Sequence, residues 1–304
     1  MRKGILAALA GVLAIVGPAQ AEVLPVSGIY PAGSDAAAGV QSISIGSFGG
    51  LEGEQLAFAL EDALRNVTIR NEPYFRVLPD GGRAEAVLRG YATLSVDTST
   101  VKEKRDVCVE RDNDGKCQRK EKQEVRCTRR DFSLAPSIRL VGSDGRQLYA
   151  DNSAETSFDT DCPGDKSNPP SRKTVASELI GRIVKQIRAD FAPQERRDSV
   201  RVLEKRDGLS KPDAERFKRA LAYTKTDAVS ACREWDDLVQ TNPGHASSLF
   251  NLALCAESAG DDANARHQYQ ALLGGIAGSS AKERLARIAD RERAARQLAA
   301  HDAN

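Results

Sequence analysis

The residues of this chain best suited to chemistry are six cysteines (Cys108, Cys117, Cys127, Cys162, Cys232, Cys255) and three histidines (His245, His267, His301). Thiolates and imidazoles make zinc sites when they come in close pairs such as C-x2-C, and here the nearest pair, Cys108 and Cys117, spans a charged turn. Disulfides suit that spacing better. Among the histidines, His245 reads as a residue near a helix start, His267 as one on an exposed helical face and His301 as part of a frayed terminus. The sequence holds no Gly-x-Ser-x-Gly, no H-E-x-x-H and no fingerprint glycine loop. Gly49 to Gly53 precede a helix, as an anion-binding turn would, but without the fingerprint spacing they read as a plain turn. Asp112-Asn113-Asp114-Gly115 has the residue types of a calcium loop and lacks its closing bidentate Glu. Plentiful Asp and Glu leave a carboxylate-pair hydrolase open, because spacing in sequence does not set spacing in space. These residues point away from an enzyme, with no catalytic residue, cofactor or metal assigned.

Compartment follows from the first residues. Arg2 and Lys3 precede an apolar stretch from Gly4 to Val16, then Gly17, Pro18 and Ala19-Gln20-Ala21, the plan of a secretory signal peptide cut after Ala21. The stretch is shorter than the ~20 residues that span a bilayer, so an uncleaved anchor is the poorer reading. No cysteine follows the cut to accept lipid. The expectation is a periplasmic protein with no membrane span, in a space where thiols pair. Charged residues make up 29% of the 304 and hydrophobic ones 40%, the balance of a globular chain. Lys and Arg total 44 against 43 acidic residues, which gives no support to nucleic-acid binding.

Hydropathy periodicity then places the elements. Gln41 to Phe48 reads as a strand, and Leu56, Leu60, Leu64 and Val67 recur at helical spacing over 53–67. Tyr74 to Leu78 is a short strand. Apolar residues alternate from Ala86 to Val96 and again through Phe132, Leu134, Ile138 and Leu140. Ser143-Asp144-Gly145 turns this second run into Leu148, Ala150, Ala154 and Phe158, an antiparallel meander. Matching apolar faces pairs Leu140 with Ala150 and Phe132 with Phe158, which leaves Cys127 one residue out of line with Cys162. A bridge between them then requires a bulge, expected at Pro136, which has no N–H for the ladder. Cys108 and Cys117 close the outer loop of a charged hairpin over 101–130, with 11 basic and 7 acidic residues. Val175 to Phe191 is a second amphipathic helix, stopped by Pro193, and Ser199 to Leu203 a last strand. The fold class is α+β, an antiparallel or mixed sheet with two helices, followed by an all-α unit.

That second unit repeats itself with a period of 34: Asp227 matches Asp261, Ala231 Ala265, Trp235 Tyr269 and Leu238 Leu272, the tetratricopeptide spacing. In the clearer repeat Leu249, Leu252, Ala253 and Ala256 fill the first helix, Gly260 makes the turn, and Ala265 and Tyr269 fill the second. Ala253 and Ala265 let two helices approach closely. In the earlier repeat Phe217, Ala220 and Leu221 serve the first helix and Trp235 the second. Leu285, Ile288, Ala295 and Leu298 mark a polar-faced capping helix. Cys232 and Cys255 fall on neighbouring helices, where a bridge and two buried thiols fit equally well.

Residues 41–205 resemble the fold family of the bacterial curli-secretion lipoprotein and the N-terminal domain of the Tol-Pal translocation protein. The resemblance lies in SISIGSFGG (42–50), EGEQLAFALEDAL (52–64), YFRVLP (74–79) and AEAVLRGYATLSV (84–96). It implies an envelope protein of the assembly or scaffold type. A curli-like pore is disfavoured, because the chain lacks a lipidated cysteine and carries a highly charged hairpin, and charges facing lipid cost ~2–4 kcal/mol each near the midplane. The organisation expected is a leader (1–21), a lead segment (22–40), the α+β domain (41–205), a linker (206–214), tetratricopeptide-like repeats (215–275) and a capping helix with tail (276–304). The function expected is binding of a protein or peptide partner in the envelope through the repeat unit. The alternative is an envelope polysaccharide or anionic surface bound by the basic hairpin.

Overall fold

The computed structural model describes residues 22–80, 82–165 and 168–303; the leader expected over 1–21 lies outside them. In chain order the elements begin with β1 (Val23–Tyr30), α1 (Asp35–Ala38), β2 (Ser42–Gly49), α2 (Gly53–Arg65), β3 (Thr68–Ile69), β4 (Glu72–Pro73) and β5 (Arg76–Leu78). Then come β6 (Ala86–Arg111), β7 (Cys117–Gly142), β8 (Gln147–Asp151), β9 (Glu155–Asp161), α3 (Arg172–Phe191) and β10 (Gln194–Arg201). Five helices follow: α4 (Lys211–Tyr223), α5 (Ala228–Thr241), α6 (Ala246–Ser258), α7 (Asp262–Ala271) and α8 (Gly278–Asp302). The content is mixed α and β. By their contacts these residues form two units: 22–28 with Arg197–Ile288, and Ile29–Arg196 with 289–303.

In the α+β unit the main sheet is mixed. Strand β2 runs parallel to both β5 and β6, and β6, β7 and β8 follow antiparallel, in the order β5-β2-β6-β7-β8. Strand β7 is long enough to hold β8 and β9 one after the other on the same edge. Even-numbered residues of β6 and β7 turn one face inward: Ala86, Leu88, Ala92 and Leu94, with Phe132, Leu134, Ile138 and Leu140. The helices cover that face. Leu56, Leu60 and Leu64 of α2 and Leu179, Ile183 and Ile187 of α3 are buried on the same core, each such side chain contributing about 2 kcal/mol over its exposed state. Ser171 starts α3 by accepting from the Thr174 N–H.

The register differs from the sequence expectation, and Pro136 is not the site of the irregularity. The ladder shifts between Leu140 and Val141, beside the Asp144-Gly145 turn. From Leu140 onward the pairing is constant: Leu140 faces Tyr149, Phe132 faces Ser157 and Thr128 faces Asp161. One residue of slip exchanges the faces of a strand. Tyr149 therefore turns to the helices, edge-on to Phe191 and donating a 2.6 Å hydrogen bond to Asp190, while Phe158 lies 61% exposed beneath the Arg129 guanidinium. Pro136, with no N–H to offer, falls between the stretches paired to β8 and β9.

Residues 22–40 show no periodicity that assigns them elements, yet they hold β1 and α1. In the α+β unit the last part of α8 is tied to this segment. The Gln297 amide accepts from the Ala32 N–H at 2.8 Å and donates to the Ala32 carbonyl at 3.1 Å. His301 is not at a frayed end. It is buried, stacked on Tyr74 at 4.0 Å between ring centroids, and Leu298 packs against the core. A helix end with this many buried partners is held in place.

The helical unit has a core of its own. Successive helices α4 to α7 touch in order and are joined by turns of three or four residues, which forces neighbours to run antiparallel. Trp235, Tyr269, Phe217, Phe250, Ala231, Ala253 and Ala265 are buried at its centre. The unit is not purely helical: Leu24 and Val26 of β1 and Val202 after β10 are buried in the same cluster. Lys225 holds Glu22 at 2.9 Å at the start of this segment.

Candidate functional site

Two concavities of the helical unit are open to a partner, and they share Leu203 and Lys205. The larger, about 950 Å³, is walled by the start of α6 (Ala246, Ser247, Leu249), the 242–245 turn, the α7 to α8 connection (Leu272, Ile276, Ala277) and the chain after β10 (Leu203, Lys205, Asp207). Its surface is mainly aliphatic. Ile276 is 82% exposed and Leu273, close to it in sequence, 48%. Large apolar side chains left in water next to a groove mark a contact surface. Lys205 and Asp207 place one charge of each sign in the lining.

His245 stands in the wall of this groove as the N-cap of α6. Its Nδ1 accepts from the Ser248 N–H at 3.2 Å and lies 2.7 Å from the Ser248 hydroxyl, which assigns the proton to Nε2 when the ring is neutral. Phe217 meets the ring edge-on at 5.5 Å. Burial pushes the imidazole below its ordinary value, against the Asp207 charge, which raises it. Burial thus favours the neutral ring, whose Nδ1 serves as the acceptor that caps α6.

The smaller concavity, about 800 Å³, runs along residues Asp198 to Lys205, with Phe250 and, from α8, Ser280, Glu283, Arg284 and Arg287 opposite. Strand β10 pairs only with β1 among the described strands, so its other edge faces this space. The Val202 N–H donates to the Glu22 carbonyl, on the β1 side. Leu203, one residue on, points the opposite way, and the buried Asn251 amide takes both its groups: the Leu203 N–H donates to Oδ1 at 2.8 Å, and Nδ2 donates to the Leu203 carbonyl at 2.9 Å.

Arg284, in the wall of the smaller concavity, belongs to a buried ionic group. Arg284 bonds Glu257 through Nε (2.9 Å) and NH2 (2.6 Å), and the Tyr269 hydroxyl donates to the same carboxylate at 3.0 Å. Burial drives the Tyr269 phenol far above its ordinary value, and the Glu257 charge adds to that.

No protein-family model matches this sequence, and no curated protein matches it. Among solved structures, a chain of a PelC variant dodecamer from Paraburkholderia phytofirmans aligns over 55% of this chain and 98% of its own, at 15% identity. The TM-score is 0.24, too low to carry an argument.

Of the repeat residues, Trp235, Ala253, Ala265 and Tyr269 are fully buried, whereas Leu249 and Leu252 are half-buried, Leu249 reaching the larger groove. Gly260 ends α6 at φ 82°, a left-handed conformation suited to glycine. The six cysteines come together in three bridges, Cys108–Cys117, Cys127–Cys162 and Cys232–Cys255. Glu103 joins Cys127 and Cys162 in the one three-residue cluster of metal-ligand types among the described residues, but both sulfurs are in the disulfide and offer no thiolate. Asp112 spends its acceptors on its own turn, taking the Asp114 and Lys116 N–H groups and the Gln118 amide. Beside the 49–53 turn the anion is the chain's own: buried Glu52 accepts from the Leu94 N–H and pairs with Arg172. Lys205, Asn251 and Ile276 have no signal in the sequence that marks them as site residues.

Proposed function

We propose that this chain is a non-enzymatic scaffold of the bacterial periplasm that binds a peptide or protein through its helical unit, with residues 215–275 acting as tetratricopeptide repeats. The observation that carries the reading is the aliphatic groove with Ile276 standing out into water at its edge. Such a groove takes an apolar anchor from a partner, and burial of one aliphatic side chain contributes about 2 kcal/mol. The 34-residue period supports the repeat reading, as do Ala253 and Ala265, both 0% exposed where two helices approach. The resemblance of residues 41–205 to the curli-secretion and Tol-Pal fold family supports an envelope role. Three disulfides accord with an oxidising compartment, and no helix among the described residues is long and apolar enough to cross a membrane.

The test uses point variants of the full chain, because deleting the helices would also remove Gln297 and His301 from the α+β unit. Ile276→Glu and Leu249→Glu are compared with the unchanged chain as bait in envelope extracts, with partners identified by mass spectrometry. Loss of the same partners from both variants supports the groove. Undiminished capture by both variants overturns it.

A further inference from the structure

The paired strands β6 and β7 continue past the last residues that any third strand flanks. Strand β9 leaves β7 at Thr128, opposite Thr100, and from Val101 to Arg111 only the two strands face each other, a length of roughly 36 Å at about 3.3 Å per residue. Their register sorts the side chains into two faces. On one lie Lys102 opposite Arg126, Lys104 opposite Glu124, Asp106 opposite Lys122 and Cys108 opposite Lys120. On the other lie Glu103 opposite Val125, Arg105 opposite Gln123 and Val107 opposite Glu121, with Asp97 and Asp131 towards the sheet.

The two faces handle their charges differently. On the second, each arginine has an acid two residues away along its own strand: Arg105 with Glu103 at 2.8 Å, Arg119 with Glu121 at 2.7 Å and Arg129 with Asp131 at 2.8 Å. That face neutralises itself. On the first, Lys102 meets Glu124 at 3.5 Å, while Lys104, Lys120, Lys122 and Arg126 are exposed and form no ion pair among the described residues. The face thus holds five cations against Asp106 and Glu124, an excess of three, with the same-strand pairs Lys102–Lys104 and Lys120–Lys122 each about 7 Å apart. Side chains of like charge lined up on one face repel one another, and a bound polyanion relieves that repulsion.

We propose that this face binds a linear acidic polysaccharide. The occupant follows from what the face has and lacks. No aromatic residue occurs between Tyr91 and Phe132, so there is no platform on which nucleic-acid bases would stack. The face carries no large apolar side chain from Thr98 to Cys108 or from Lys120 to Thr128 that would enter a bilayer. Two-stranded ribbons twist more strongly than wider sheets, so the cations wind around the ribbon axis. A flexible chain follows that winding, whereas a planar membrane meets only part of it. Bridges Cys108–Cys117 and Cys127–Cys162 close the two ends of the stretch and hold the ribbon in register without a third strand.

The experiment measures binding of the full chain to alginate, a linear polyuronate, with dextran, a single-stranded oligonucleotide and vesicles of phosphatidylglycerol and phosphatidylcholine alongside. Alginate is expected to bind, dextran not, with affinity falling as salt rises from about 50 to about 200 mM. Lys122→Gln and Gln123→Glu each remove one unit of net charge at adjacent positions on opposite faces. The triple variant Lys104→Gln, Lys120→Gln, Lys122→Gln is expected to weaken alginate binding about tenfold or more, and Gln123→Glu to leave it within about twofold. All four positions are exposed, and an unchanged melting temperature confirms that folding is intact. Absence of alginate binding, equal weakening by Gln123→Glu, or tighter binding of the oligonucleotide or the vesicles than of alginate overturns the proposal.

Discussion

Cys127 and Cys162 stand opposite one another across the β7–β9 ladder, with Cα atoms 4.3 Å apart. That separation is close to the ~4.5 Å of a non-hydrogen-bonded antiparallel pair, so the bridge joins two residues the sheet has already brought together. It needs no bulge at Pro136. It also ties the chain after β9 to the place where the ribbon leaves the sheet.

Removing this bridge is therefore expected to loosen the unfolded chain more than it disturbs the folded one. The two cysteines are 35 residues apart, a loop whose closure is worth about 4 kcal/mol by chain entropy. Cys127→Ser with Cys162→Ser should lower the urea midpoint of the α+β unit accordingly, while the pair Cys108→Ser with Cys117→Ser, 9 apart, should cost less. Peptide mapping without reduction should find both bonds; a link from 108 to 127 would contradict the register.

Gly90 offers a test of the core face. It pairs with Ile138 on one side and Phe48 on the other, and a Cβ there would come within 2.6 Å of the Phe48 ring and 2.8 Å of the Ser137 carbonyl oxygen. Gly90→Ala should destabilise the unit by about 1–3 kcal/mol in thermal or urea unfolding, because neither a packed ring nor a backbone oxygen moves aside cheaply.

Acidification should weaken the helical unit through His245. Its folded pKa lies below the ordinary 6.5, so as the pH falls the unfolded chain takes up the proton first. The stabilisation is fully present above about 6.5 and is lost as pH falls below it, when the Nδ1 lone pair that caps α6 becomes protonated. His245→Asn keeps a capping oxygen without the titration. Its urea midpoint should change less than that of the unchanged chain between about pH 7.5 and about pH 5.

The Glu257–Arg284 pair should be sensitive to loss of either partner alone. Both side chains are buried, so Arg284→Met leaves a carboxylate without its cation and should cost about 3–5 kcal/mol. The double variant Glu257→Met, Arg284→Met should recover much of that loss in a double-mutant cycle. Equal or greater instability of the double variant would mean that the pair acts chiefly through packing.

Periodicity made α2, α3, the Ala86–Val96 part of β6 and the Phe132–Leu140 part of β7 legible, because each buries one face and its apolar residues keep the period of that face. The 34-residue period made the paired helices legible for the same reason. Strand β1 was harder to read: Leu24 and Val26 alternate, but Pro25 and Gly28 interrupt a run too short to carry a signal. The grooves could not be read at all. Leu203 and Asn251 are 48 positions apart, and nothing in either stretch announces that a side-chain amide will stand in for a strand.

By itself the sequence determined the inward faces of α2, α3 and the sheet end of β6, the main helical segments, and that the sulfurs were numerous enough to pair. Those are local properties, set by side-chain type and spacing along one element. Tertiary structure alone decided the register that turns Tyr149 inward and Phe158 outward, the placing of Asn251 and Gln297 on backbone groups far along the chain, and the gathering of unpaired cations on one ribbon face. The register turns on a single residue of offset between two strands. An offset is chosen by the summed packing of the whole core, and hydropathy within one strand does not carry it.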